Sequence, residues 1–111
     1  MGGEITMTIT EMCREANKIA ADKGWWSWDR NDGELIALMH SELSEALEAL
    51  RHPGRPDSHV PGMNPVGLEL ADVLIRVGDY CQQRGIDLEA CVKAKMYYNA
   101  TRSYKHGGKA F

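Results

Sequence analysis

The sequence predicts an all-α domain, and three observations favour that class. Apolar residues recur at spacings of three and four along four segments, which is the period of an amphipathic helix. Capping residues, glycines and prolines separate these segments. A hydrophobic fraction of 43% with 7% aromatic residues is typical of a helical globular protein. At 111 residues the chain is expected to form a single domain, residues 1–111, around one core.

The first helix is predicted to open on a capping box, Thr8-x-x-Glu11, and to run to about Lys23. Gly24 is a typical C-terminal stop, because glycine readily adopts the left-handed conformation found there. A connector with all three tryptophans of the chain follows at residues 25–28. Residues 1–8 are expected to be a flexible end.

Asp32 is predicted to cap a second helix over about residues 33–51. Prolines and glycines then mark residues 52–65 as a loop. The third helix is predicted over about 66–84. The fourth, capped by Asp87, is predicted over about 88–102, with residues 103–111 as a flexible tail. The four helices are expected to form a four-helix-bundle-like fold.

Two acidic pairs, Glu42-x-x-Glu45 and Glu69-x-x-Asp72, lie on the second and third helices. Residues three apart on a helix share a face, about 60° apart around the axis and roughly 4.5 Å apart along it. Two such helices packed together would gather four carboxylates, which is unfavourable unless a cation neutralises them. The pairs therefore predict a site for a hard cation such as Mg²⁺, Mn²⁺ or Ca²⁺, with Mg²⁺ favoured and Mn²⁺ as its substitute.

The alternative is that such a pair is an ordinary solvated helix face. Helical projection places Glu42 inside the apolar arc of its helix, where an uncompensated carboxylate is costly. Glu45 lies just beyond the edge of that arc, and Glu69 and Asp72 lie at the margin of the third helix. Of the four carboxylates, Glu42 is therefore the one that an ordinary solvent-exposed helix face explains least well.

Other metal sites fit the sequence less well. A di-iron bundle needs Glu-x-x-His motifs, and no glutamate is followed three residues later by histidine. No EF-hand loop is present. The three cysteines lack C-x-x-C spacing, so neither a zinc site nor a disulfide framework is predicted.

The fourth helix carries Lys95, Asn99 and Arg102 on one stripe. Two cations and an amide suit an anionic ligand, although the two cations could instead pair with the acidic helices. Beside an acidic metal site, phosphate is the ligand favoured for this stripe, because carboxylate-bound Mg²⁺ commonly completes its shell with substrate phosphates.

The net charge of −3 argues against a broad electrostatic surface for nucleic-acid polymers or anionic membranes. No apolar run approaches a membrane span, and no secretory segment is evident at the N-terminus. The protein is expected to be cytoplasmic.

Four motifs follow one another in a characteristic order: Glu42-Leu-Ser-Glu45, Glu69-Leu-Ala-Asp72, Lys95-x-x-x-Asn99-x-x-Arg102 and His106-Gly107-Gly108-Lys109. Over about residues 24–110 this order resembles the MazG-type all-α nucleoside triphosphate pyrophosphohydrolases. That superfamily includes MazG-like proteins, dimeric dUTPases, dCTPases and phosphoribosyl-ATP pyrophosphatases. Its pattern is often E-E-x-x-E followed by E-x-x-D, and this chain has Ser41 in place of the first glutamate.

The resemblance implies hydrolysis of a nucleoside triphosphate, either a dNTP or a non-standard NTP, to the monophosphate and pyrophosphate. It implies that Glu42, Glu45, Glu69 and Asp72 hold Mg²⁺. Either Glu42 or Glu45 would also orient or deprotonate the attacking water.

The resemblance also implies roles for the fourth helix and for assembly. Lys95 and Arg102 would offset phosphate charge, and Asn99 would contact sugar or phosphate. A homodimer or homotetramer is implied, with a site completed between subunits. In the connector, Trp28 and its neighbours either stack on a base or seal the end of the bundle.

Two alternatives remain at this point. The chain could be a non-catalytic nucleotide-binding or regulatory helical oligomer, for which the serine at position 41 leaves room. It could also act on phosphoribosyl-ATP with the same chemistry. The sequence does not fix the base preference.

Overall fold

The computed structural model describes residues 7–102, and in that range it contains helices and no strand. The all-α prediction is therefore confirmed. Residues 1–6 and the tail with its His106–Lys109 motif lie outside the described part. The helices are α1 (Ile9–Asp22), α2 (Asp32–Arg51), α3 (Pro65–Gln83) and α4 (Leu88–Thr101).

The predicted capping box opens α1. The Thr8 hydroxyl accepts a hydrogen bond from the Glu11 backbone N–H at 3.1 Å, and the Thr8 N–H donates to Glu11 Oε1 at 2.8 Å. Beyond the helix, Gly24 has φ 86°, a conformation that is strained for other residues. Local sequence thus sets both ends of α1.

The predicted cap of α2 is wrong by one residue. Asn31 is the cap, and its Oδ1 accepts from the Glu34 N–H at 3.1 Å. Asp32 is instead the first helical residue, and its carboxylate accepts from Arg84 Nε at 2.7 Å. Both residue types favour caps, and Asp32 instead forms an ion pair with Arg84, the residue that follows α3.

The remaining helix starts agree closely with the prediction. Asn64 caps α3 by accepting from the Gly67 N–H at 2.9 Å, and Pro65 occupies the first turn, where its missing donor costs nothing. Asp87 caps α4 by accepting from the Ala90 N–H at 3.0 Å.

Helix α3 lies at the centre of the fold and packs against both α1 and α2, whereas α4 makes a smaller contact with α1. Helices α1 and α3 approach closely at Gly78 of α3. A Cβ there would lie 2.8 Å from Met12 Sδ and 3.3 Å from the Cys13 Cα on α1. The face of α2 that carries Glu42 is turned toward α3, which positions the candidate site.

The core of the single chain is thin. Among residues 7–102 the buried apolar ones are Cys13, Ala16, Leu35, Ala46 and Cys81, and α4 contributes none. The radius of gyration is 16.8 Å, compared with about 13 Å for a compact domain of this length. The four helices therefore do not enclose a common core within one chain.

Much of the predicted apolar arc of α2 is uncovered. Leu43, Leu47 and Leu50 are 50–61% exposed, because this part of the arc turns away from α3. No helix of the described part is long and apolar enough to cross a membrane.

Candidate metal centre and adjoining clefts

Three carboxylates from α2 and α3 form a cluster in the structure. Glu42, Glu69 and Asp72 each place one oxygen so that the three atoms lie within 4.8 Å of one another. Glu42 and Glu69 are half-buried, and Asp72 is exposed. Three of the four predicted metal ligands are thus brought together, by the packing of α2 on α3.

The fourth predicted ligand, Glu45, is not a member of this cluster among the described residues. It is exposed, and with Glu69 it lines a cleft of about 360 Å³. The other polar residues of this cleft include His52, Arg55 and Asp57 from the loop after α2. Glu45 nevertheless acts on the cluster, because its charge helps raise the pKa of Glu69.

The pKa values of two cluster members are raised. For Glu69 the causes are partial burial first, then the charges of Asp72 and Glu45. For Asp72, which is exposed but loses part of its hydration to neighbouring atoms, the causes of the raised pKa are this desolvation and the charge of Glu42, opposed by the positive charge of Arg76. Both carboxylates are thus less favourable in their charged form than in water, and a bound cation would relieve this cost.

Arg76 is the most important site residue that the sequence did not identify. Its Nε donates to Glu42 Oε1 at 2.8 Å, and the two side chains are 38% and 22% exposed. This ion pair offsets the cost of placing the Glu42 carboxylate at a half-buried position. The available signal was its spacing, since Arg76 lies one helical turn after Asp72 and two turns after Glu69.

Asp57 was also missed. Its Oδ1 accepts from the backbone N–H groups of His59 and Val60, at 2.8 and 2.9 Å. Its charge contributes to the raised pKa of both Glu69 and Asp72, so the loop brings a further carboxylate toward the cluster. An aspartate in a loop rich in proline is typical of a turn, so the sequence did not indicate that Asp57 lies near the cluster.

A second cleft, of about 400 Å³, opens on the α1 side of the cluster. Its polar lining includes Glu42, Asp72 and Arg76, and its apolar lining comes from α1 and α3. An aromatic ring and two further cations also line it: Trp25, Lys23 and Arg30. This cleft therefore combines carboxylates that suit a cation with an aromatic ring and positive charges.

The three tryptophans of the connector have different environments. Trp26 is half-buried and donates from Nε1 to Asp79 Oδ1 at 2.8 Å, so its role is structural. Trp25 lines the second cleft, whereas Trp28, the predicted stacking residue, is 56% exposed and is not among the lining residues. The Arg30 guanidinium lies 5.4–5.8 Å from the centres of all three rings.

The predicted phosphate-binding stripe of α4 is not brought to the cluster within one chain. Lys95, Asn99 and Arg102 are exposed and line neither of the two clefts described above. Lys95 Nζ and Arg102 Cζ instead lie over the ring of Tyr98, at 5.4 and 5.9 Å from its centre. The α4 packing on α1 keeps this stripe away from α2.

Comparisons with protein-family models, with curated proteins and with solved structures found no match for the chain.

Proposed function

We propose that the protein is a Mg²⁺-dependent nucleoside triphosphate pyrophosphohydrolase of the MazG type. It would hydrolyse a dNTP or a non-standard NTP to the monophosphate and pyrophosphate. The observation that carries the proposal is the Glu42–Glu69–Asp72 cluster, two members of which, Glu42 and Asp72, line a cleft that also contains an aromatic ring and two further cations. This arrangement suits a ligand with a metal-bound phosphate chain and a base.

The cluster fits a hard divalent cation. Its donors are all carboxylate oxygens, and their separations of up to 4.8 Å need only small side-chain adjustments to surround one ion. Glu42, Glu69 and Asp72 would hold Mg²⁺, with Mn²⁺ as a substitute. Bound there, the ion would polarise the phosphate chain and lower the pKa of a coordinated water.

The chain itself supplies the remaining groups. Glu45 lies outside the cluster yet close enough to affect Glu69, which suits it to orient or deprotonate the attacking water. Trp25 would stack on the base, with Trp28 at the outer edge of the connector. Lys23 and Arg30 would offset phosphate charge at the rim of the cleft.

We further propose a homodimer or homotetramer as the active form. The uncovered leucines of α2 support association, because large exposed apolar patches mark interaction surfaces. Lys95, Asn99 and Arg102 would then contact phosphate or sugar from a second copy of the chain, since they are remote from the cluster in their own.

The test is pyrophosphate release from a panel of ribo- and deoxynucleoside triphosphates and phosphoribosyl-ATP. We expect release with Mg²⁺ or Mn²⁺ and none with EDTA.

Asp72→Asn and Glu45→Gln should each lower kcat by more than about 100-fold. Both residues would contact the metal or the attacking water, and their loss should cost more than the loss of a residue that only hydrogen-bonds to a metal ligand. Glu34→Gln, an exposed carboxylate in the first turn of α2, is the matched control and should keep wild-type activity. Circular dichroism should show unchanged helix content in all three variants.

A second candidate is a non-catalytic nucleotide-binding or regulatory helical oligomer. The observation that favours it is the Arg76–Glu42 ion pair, which already neutralises one cluster member. Calorimetry separates the two candidates: tight nucleotide binding without product release from any nucleotide would support the second and reject the first.

A further inference from the structure

Arg76 is ion-paired with a member of the acidic cluster. Its Nε donates to Glu42 Oε1 at 2.8 Å. Its side chain also lines the same cleft as Glu42, Asp72 and Asp79. A single cation thus bonds to one of the three carboxylates that would hold a metal and shares a cleft with a second.

Arg76 and a divalent cation would bind Glu42 in competition. A carboxylate has lone pairs for two partners, but a guanidinium 2.8 Å from one oxygen repels a doubly charged ion on the other. The ion pair must therefore weaken when metal binds, which lowers the affinity of the cluster for metal alone.

A phosphate chain offers Arg76 an alternative partner. The guanidinium carries five N–H donors in a planar fork that matches phosphate oxygens, and among the described residues one of these donors is bonded, to Glu42. The half-exposed side chain faces the cleft in which phosphates would lie. A bound phosphate would replace Glu42 as the hydrogen-bond and ion-pair partner of Arg76.

We infer that Arg76 is a phosphate-binding residue that pairs with Glu42 until metal and nucleotide arrive together. This inference rests on the proposed function. Through the exchange of partners, phosphate binding frees Glu42 for the metal, and metal binding frees Arg76 for the phosphate. Metal and nucleotide therefore bind cooperatively, and the coupling is reciprocal.

The experiment uses Arg76→Gln, which removes the charge and keeps a long polar side chain. Calorimetry first measures Mn²⁺ alone, and then an α,β-imido nucleoside triphosphate at saturating Mn²⁺. We expect Arg76→Gln to bind Mn²⁺ alone about tenfold more tightly than the wild type, and the Mn²⁺–analogue complex about tenfold more weakly. Arg51→Gln is the matched control, since it removes an equal charge from an exposed pair on α2 and should change neither affinity.

Each other outcome has a distinct meaning. A weaker affinity of Arg76→Gln for Mn²⁺ alone would mean that Arg76 only supports the geometry of the cluster, and would overturn the inference. Wild-type values for both ligands would overturn it too, while leaving the proposed function in place. Failure of every variant and the wild type to bind Mn²⁺ would overturn both.

Discussion

Glu69 and Asp72 are charged residues whose environment opposes their ionised form. Their pKa values are raised, chiefly by partial loss of hydration and then by neighbouring carboxylates. A carboxyl group with a raised pKa binds its proton more tightly in the folded state than in the unfolded state. Its contribution to stability is therefore present at low pH and is lost as the pH rises through its folded-state pKa.

Amide replacements should consequently stabilise the metal-free protein. In EDTA at pH 7, Asp72→Asn and Glu69→Gln should each raise the free energy of unfolding, and the gain should disappear below about pH 4, where the wild-type groups are protonated. Urea unfolding at both pH values measures this. Glu11→Gln is the control of opposite sign, because hydrogen bonds from Thr8 lower the pKa of Glu11. A loss of stability at pH 7 in both cluster variants would contradict the electrostatic account.

Asp79 joins three parts of the fold through one oxygen. Its Oδ1 accepts from Asn17 Nδ2 of α1 at 2.9 Å and from Trp26 Nε1 of the connector at 2.8 Å. Since the connector carries Trp25 and Arg30, this bond fixes the rim of the second cleft relative to α3.

Asp79→Ala should reduce the free energy of unfolding by about 2 kcal/mol, because both donors lose a charged acceptor at a half-buried position. Asp79→Asn keeps an acceptor oxygen and should lose about half as much. Urea unfolding followed by tryptophan fluorescence checks the order of the three proteins. Equal stability of the alanine variant and the wild type would show that water replaces these bonds without cost.

At the scale of elements, α3 carries the site. Glu69, Asp72, Arg76, Asp79 and Gln83 follow one another at spacings of three and four, so they form a single polar stripe along this helix. Because α3 lies between α1 and α2, the stripe contacts Glu42 on one side and Asn17 on the other. The helix therefore connects the acidic cluster to the connector.

The helices and most caps were predictable because they depend on residues close in sequence, as Thr8 and Glu11 show. The sequence predicted only in part which carboxylates come together in the cluster. Helical projection fixes the direction of Glu42 on its own helix, but not which helix covers it. The pairing with Arg76 and the exclusion of Glu45 depend on the crossing of α2 and α3, which no local pattern specifies.

The close contact of α1 with α3 involves Gly78. Its replacement by alanine would place Cβ 2.8 Å from Met12 Sδ and 3.3 Å from the Cα of Cys13, so the Met12 side chain must rotate and the backbones must separate by a few tenths of an ångström. We expect Gly78→Ala to lower the free energy of unfolding by about 1–3 kcal/mol, although alanine is the better helix former. Thermal and urea unfolding measure the change.

Gly67→Ala is the matched control on the same helix. Its Cβ would meet only the Asn64 side chain, at 3.5 Å or more, and the capping hydrogen bond would remain. This variant should be as stable as the wild type or slightly more stable. Equal effects of the two replacements on the free energy of unfolding would mean that the α1–α3 contact accommodates a Cβ at Gly78 at little cost.

At the scale of the whole molecule, the apolar surface exceeds what one chain can cover. Leu43 and Leu47 on α2, with Met96 and Tyr97 on α4, are 50–77% exposed. Helix α4 has no buried residue, so little of its stability comes from its own chain. Association of copies would bury these faces and could bring the α4 cations toward a neighbouring cluster.

Sedimentation of the wild type should therefore show a dimer or a tetramer. The double variant Leu43→Lys with Leu47→Lys should weaken association by tenfold or more, on the order expected for charges in an apolar interface. Val60→Lys, a similarly exposed apolar position in the loop after α2, is the control and should assemble as the wild type does.

Pyrophosphate release measured on the same samples separates two arrangements of the site. Loss of activity together with dissociation would support a site that takes Lys95 and Arg102 from a second copy, whereas full activity in a monomer would confine the site to the clefts of one chain.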